Sequence, residues 1–476
     1  MSQFQLEEKL VRRTWKKLRD GPIPVVAPDE MAGLPSFVSR TNERVRSHSY
    51  IPEIVHGFLG LQKGHGVTRF LPILTKEDLA VYYQICGVIG DKVLIRRDRI
   101  YGGWHSVPTS QQIPKLSDER RNEENASSFQ QNYLADSFSD FLWLKEFRSF
   151  TDLLRETTSN GKIGNYVVST DIANFYDSIE VPLLIKRLRR DAPELDDYVS
   201  ILEMFLTNWN RRTTGYHHSS KGIPQEIISD ASRILSHYYL QSFDDKFDQY
   251  CLDNGLTYLR WADDIIVFGN SPKRLEEAVH KASKLLLSDG LNLNAPKTRI
   301  FSRLNFAKYR GLDVLAAIDV NKPEVFRRKL KSAIKWAESN PFRLDTVFRA
   351  AVGFVFNLGG LARTYEKNFI LEVIDSDPDI IGTLNSTQLV RLIAISDDAK
   401  EMFLKIRTLV SSKPFAGPRA NFLRLIRTKH TALRKHGISQ KLLASSVDVI
   451  EGISDDSEII LRFCIPRTRE VLSKIS

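Results

Sequence analysis

The chain is short of cysteine, has no long apolar run and carries no acid at all over one stretch of its C-terminal third. Only Cys86, Cys251 and Cys464 occur in 476 residues. Odd in number and far apart, they fit neither a disulfide framework nor a clustered zinc site, and reduced, mostly buried thiols are expected. The longest mostly apolar stretch, AAVGFVFNLGGLA at 350–362, falls short of the ~20 residues of a membrane span, and the N-terminus lacks the apolar core of a signal peptide. A cytosolic protein with no membrane partner is expected. Composition is otherwise ordinary for a folded chain, with 42% hydrophobic and 26% charged residues. The length exceeds the roughly 100 to 200 residues of one domain, so two or three domains are expected.

The missing acid matters because the chain is basic. Its formal charge is +10, and residues 326–476 hold 25 Lys and Arg against 16 Asp and Glu, which leaves only +1 for everything before them. Within that third, KPFAGPRANFLRLIRTKHTALRKHGISQK (413–441) has eight basic residues and no acid, whereas surfaces normally mix both signs. A polyanion partner follows. On a helix Phe422, Ile426 and Leu433 share one side, while Arg424, Arg427, Arg434 and Lys435 fall opposite. The apolar stripe is expected to pack inward and the basic stripe to face outward and hold nucleic-acid phosphates, with the basic segment at 7–20 as the alternative path.

Periodicity divides the chain. EEKLVRRTWKKLRD (7–20) reads as a basic amphipathic helix, and the polar, aperiodic stretch at 107–128 as a surface insertion. NYVVSTDI (165–172), TYLRWA and IIVFG read as short strands, and helical patterns lie among them. Beyond residue 326 strand signals fade and amphipathic segments recur. An α+β domain over 1–325, followed by a basic, all-helical domain of stacked helices over 326–476, is expected.

Asp263 and Asp264 stand between two apolar strands in TYLRWADDIIVF, where a hairpin tip would project them from a buried sheet. A solvated turn is the plain alternative, since Asp is common in turns. Asp171 ends a third strand with aromatics just after it. Carboxylates converging from neighbouring strands repel unless a cation sits among them. Mg²⁺, an ion of oxygen ligands that binds nucleotide phosphates, is the economical answer, with Mn²⁺ the alternative.

These residues carry a resemblance. DIANFY, GIPQ (222–225), ADD between two strands, GLNLNAPKT (290–298) and FAKYRGL (306–312) follow one another like the ordered motifs of reverse transcriptases. With VTRFLPILTKEDLAVYYQI upstream and a long helical C-terminal part, the chain is most similar to the bacterial defence-associated, abortive-infection type, with retron and group II intron enzymes as near neighbours. The resemblance implies a fingers and palm core over about 60–320 that makes DNA from dNTPs by a two-metal mechanism in the bacterial cytoplasm. It implies that Asp171, Asp263 and Asp264 hold the metals, with the Ile172 carbonyl as an extra ligand. Because consecutive strand residues face opposite ways, one of the adjacent pair could stand behind the other. Tyr176 is implied as the gate against a ribose 2′-hydroxyl, with core packing its alternative. Gln225 is implied beside nucleotide and template base, Lys297 as the proton donor to pyrophosphate, and Arg69 as a clamp on the triphosphate.

One residue departs from the pattern. After GIPQ, reverse transcriptases commonly place a small residue, and here Glu226 follows. A carboxylate beside a phosphate backbone is unfavourable, which leans toward untemplated, protein-primed synthesis, a mode found among abortive-infection relatives. RNA-templated synthesis of retron or group II intron type and an inactive nucleic-acid-binding scaffold are the competing readings. Expected partners are dNTPs, product DNA and an RNA template or non-coding RNA, with self-association left open.

Overall fold

A computed structural model describes residues 4–27, 29–64, 67–103, 138–161, 163–210, 220–225, 230–320, 322–339, 344–358, 360–455 and 458–474. The polar stretch at 107–128 and Glu226 lie outside the described residues. The chief elements begin with α1 (Glu8–Asp20), α2 (Leu34–Arg46), the strands β1 (Phe58–Gly64) and β2 (Val67–Pro72), and α3 (Lys76–Val93). There follow β3 (Ile100–Tyr101), α4 (Phe138–Ser159), β4 (Tyr166–Asp171), α5 (Val181–Asp191), α6 (Asp196–Asn208) and α7 (Asp230–Asp253). Next come β5 (Thr257–Trp261), β6 (Asp264–Gly269), α8 (Pro272–Leu287), β7 (Arg299–Ser302), α9 (Arg303–Tyr309) and α10 (Leu312–Asp319).

From Pro323 onward every described element is helical: α11 (Pro323–Ala337), α12 (Leu344–Asn357), α13 (Gly360–Ser376), α14 (Ser386–Ile395), α15 (Ala399–Ser411), α16 (Ala416–Lys435), α17 (Gln440–Gly452) and α18 (Ile465–Ser473). No described helix is long and apolar enough to cross a membrane. All three cysteines are free and buried.

Two sheets form among the described residues: the β1–β2 hairpin and a five-stranded sheet in the order β3-β5-β6-β4-β7. β4, β6 and β5 are antiparallel neighbours, and β7 runs antiparallel to β4. Alternation assigns the two faces. Val168, Tyr258, Ile265 and Val267 join the larger core with side chains of α3, α7 and α8, whereas Val167, Leu259, Ile266 and Phe268 pack with Phe150 and Leu154 of α4 and Phe306 of α9. Burial on both faces explains why IIVF is apolar throughout and does not alternate.

A separate core fills the helical part, and it reaches back across residue 325. Val314, Leu315, Ala317 and Ile318 of α10 belong to it, as do Leu59, Leu71 and Ile73 of the β1–β2 hairpin and its exit. Gly417 explains the hairpin's seat on α16: a β-carbon there would lie 2.5 Å from Leu61 and 3.0 Å from the Gly60 carbonyl.

This packing corrects the expected basic stripe. Phe422, Ile426 and Leu433 are buried as expected, but Leu423, Leu425 and Arg427 are buried too. α16 packs against β1, α14, α15, α17 and α18, so it has no broad solvent face. Arg424 Nε donates to the Asp20 carbonyl at 2.8 Å, and Arg427 donates to the Gly21 carbonyl. Both guanidiniums therefore close the C-terminal end of α1, whose unsatisfied carbonyls and negative dipole end attract cations. Only Arg434 and Lys435 of the four remain exposed.

Candidate active site

Strand pairing brings the three carboxylates together. Asp171, the last residue of β4, stands opposite Asp264, the first of β6, and Trp261 of β5 stands opposite Asp264 on the other side. Ala262 and Asp263 make the hairpin tip, where Ala262 takes a left-handed φ of 51°. The Ile172 amide donates to the Asp263 carbonyl at 3.2 Å, which fixes the tip against the end of β4. Gly102 is needed alongside: it has φ of 95°, and a β-carbon there would lie 2.6 Å from the Ala262 amide nitrogen.

The cations nearest in sequence and in space differ. Arg260, buried with Asp244 at 1% side-chain exposure each, makes a two-pronged pair at 2.8 and 2.6 Å and donates from Nη1 to the Ala262 carbonyl at 2.6 Å. It braces the tip and leaves the acids to others. Lys297 Nζ donates to Asp171 Oδ2 at 2.6 Å, and Arg310 approaches Asp264 Oδ2 at 3.4 Å. Among the described residues no ion pair forms on Asp263. Burial first, then the charges of Asp264 and Asp171, push its pKa up to about 6.

The other motifs are held around this tip by backbone. The Asn294 amide donates to the Asp171 carbonyl at 2.8 Å, and the Thr170 and Thr298 hydroxyls meet at 2.7 Å, so GLNLNAPKT lies along β4 with Lys297 at its mouth. In GIPQ, Gly222 has φ of 89°, its amide donates to the Ile179 carbonyl at 2.8 Å, and the Ile223 amide donates to the Tyr176 carbonyl at 3.0 Å. The turn therefore lies beside Tyr176, with Gln225 half-buried at its end. Tyr176 packs partly buried against the larger core. Phe175 is core, as its neighbours suggest. Arg69 is exposed on β2, in the separate hairpin.

Asp171 Oδ1 is buried and has no hydrogen-bond partner, and Asp263 is held in an unfavourable charge state. A hard divalent cation with oxygen ligands would relieve both, so the residues fit one. As they stand, the three carboxylates do not form a three-residue metal-ligand group among the described residues. Carboxylates at this spacing repel, and Asp171 and Asp264 are drawn to Lys297 and Arg310. Arg310, Asp244 and Gly102 were not singled out from sequence. Arg310 lies in FAKYRGL, where a basic residue before a glycine is the signal that could have found it.

Residues 113–331 match the family of reverse transcriptases (RNA-dependent DNA polymerases). This stretch is similar to reverse transcriptase domains. It contains Asp171, Tyr176, Gln225, Asp263, Asp264 and Lys297 but neither Arg69 nor the basic residues of α16. The chain is also similar to the Retron Ec83 reverse transcriptase of Escherichia coli, at 25% identity over 200 residues, 40% of this chain and 62% of that protein. The chain thus spans less than two thirds of that relative's length. Among solved structures, one of telomerase from Candida albicans in complex with a fragment of telomeric RNA aligns over 79% of this chain and 67% of that one, at 12% identity and a TM-score of 0.36.

The strained charge on Asp263 gives the matched stretch a stability signature. Its pKa of about 6 lies above the unfolded value of 3.8, so the folded state holds the proton more tightly and ionisation opposes folding above pH 6. Asp263→Asn is expected to stabilise the protein in EDTA at pH 8 by about 1–2 kcal/mol, with partial exposure of the carboxylate already allowed for. Thermal melting would show a rise that shrinks as pH falls from 6 toward 4. A variant that melts lower at pH 8 would show that the charge is not strained.

Proposed function

We propose that the chain is a DNA polymerase of reverse-transcriptase type that adds dNTPs to a growing strand by a two-metal mechanism. The observation that carries this reading is the Asp171–Asp264 cross-strand pair with Asp263 at the tip, within the matched domain and with a buried, unsatisfied oxygen on Asp171. Mg²⁺ bound by Asp171, Asp263 and Asp264, with the Ile172 carbonyl available beside them, would activate the attacking 3′-hydroxyl and neutralise the leaving pyrophosphate. Lys297, already on Asp171, stands where it can give a proton to pyrophosphate once nucleotide displaces it. Tyr176 and Gln225, joined through the GIPQ turn, line the place of the sugar and base. Arg69 clamps the triphosphate from the hairpin at 58–72, and Arg434 and Lys435 remain as exposed phosphate contacts on the helical part.

Incubation of the purified chain with each labelled dNTP, with and without Mg²⁺ and with and without RNA, tests the reading. Metal-dependent incorporation is expected, and its absence under every condition would leave a scaffold. Synthesis without added RNA would favour the untemplated, protein-primed mode of abortive-infection enzymes, together with a role in bacterial antiphage defence in the cytoplasm. The 200-residue similarity to a retron enzyme favours a second reading, RNA-templated synthesis, in which incorporation follows the added RNA.

Tyr176→Ala is expected to lower discrimination against ribonucleotides roughly 10- to 100-fold, the range a steric contact of this size supplies. Competition between dNTP and rNTP measures it. An unchanged ratio would return Tyr176 to the core.

A further inference from the structure

Away from the sheet, a cavity of about 450 Å³ opens between the end of α1 with the segment after it and helices α16 and α18. Its lining is unbalanced, with Arg19, Arg424, Arg427, Lys429 and Arg467 against Asp20 and Glu470. Both acids are already engaged. Arg19 Nε pairs with Asp20 at 2.8 Å, and Glu470 takes Arg467 at 2.8 Å and Lys474 at 2.7 Å. No ion pair reaches Arg427 or Lys429 among the described residues.

Arg427 is the odd member. It is 7% exposed, and its Nε and Nη1 are buried with no hydrogen-bond partner. Closing the end of α1 accounts for one of its donors and for Arg424. It does not account for the remaining buried donors, nor for Lys429 and Arg467 facing the same space. A buried cation without a counter-charge is costly, and burial pushes this guanidinium's pKa down to about 10. Guanidiniums with an ammonium beside them suit phosphate oxygens, and Val26 and Val471 add apolar wall. The volume falls in the range of small-molecule sites and exceeds what a lone inorganic anion needs.

We propose that this cavity binds a phosphate-bearing small molecule of nucleotide size, independently of the polymerase site. Occupancy ties the α1 end to α16 and α18, so the ligand stabilises the junction between the N-terminal segment and the helical part by mass action.

The test uses the full chain in EDTA, where metal-dependent nucleotide binding at the carboxylates is suppressed. Titration calorimetry and thermal melting with AMP and with pyrophosphate, against sulfate at matched ionic strength, should show one saturable site per chain and a raised melting temperature. The double variant Lys429→Glu, Arg467→Glu should weaken binding at least tenfold, while the exposed control Lys441→Glu should not. Arg427→Met should also weaken binding. If it melts higher with binding unchanged, Arg427 is only a buried cap and the proposal falls. It falls equally if neither probe saturates or if the double variant binds as well as the parent. Binding of a 5′-phosphorylated oligonucleotide alone, lost in the double variant, would overturn the small-molecule assignment in favour of a nucleic-acid end.

Discussion

Asp171→Asn is expected to lower dNTP incorporation by on the order of 10³-fold or more, since it removes a charge worth several kcal/mol to a metal-stabilised transition state. Asparagine keeps the shape of the side chain in its buried place at the end of β4. The lost partner, Lys297, is 63% exposed along its side chain, and a pair with one end in solvent contributes little. Activity should therefore collapse while the melting temperature moves by no more than a few degrees. Single-turnover incorporation together with a thermal melt separates the two effects. Near-normal synthesis would mean that the metal site is wrongly assigned.

The largest loss of stability is expected from Asp244→Ala. The substitution leaves the Arg260 guanidinium buried without a counter-charge, and it strips the Tyr258 hydroxyl of its acceptor at 2.8 Å. Breaking a buried pair from one side costs about 3–5 kcal/mol, which denaturant unfolding would read as a lowered midpoint. The double change Asp244→Leu, Arg260→Met removes both charges and should recover much of the loss. It should not recover synthesis fully, because Arg260 also holds the Ala262 carbonyl beside Asp263. If the single variant unfolds like the parent, water reaches Arg260 and the brace is weaker than its geometry implies.

Local pattern carried much of this site. The ADD tip was legible because apolar runs flank it on both sides, and β4 because a β-branched run ends in Asp171. LNAPKT was placed by its resemblance, and the structure puts Lys297 on the Asp171 carboxylate. The partners of the acids were not legible. Arg260 is three residues from Asp263, yet it turns to Asp244, while Asp264 is met by Arg310, 46 residues further on. Charge proximity along a chain says little about pairing when the strand's two faces look into different cores.

The sequence by itself determined the order of the elements, the tip with its paired carboxylates and the all-helical character beyond residue 326, because each is written in periods of two or 3.6 residues and in single turn residues. Only the tertiary structure decided which way those elements face. The 413–441 stretch reads as a solvent stripe on an isolated helix, but α16 is enclosed by helices and by the β1–β2 hairpin, so Arg424 and Arg427 turn to carbonyls some 400 residues earlier. The hairpin likewise gives its apolar side chains to the C-terminal core. Period records that a face is apolar; what covers it depends on contacts between segments far apart in the chain, which no local pattern encodes.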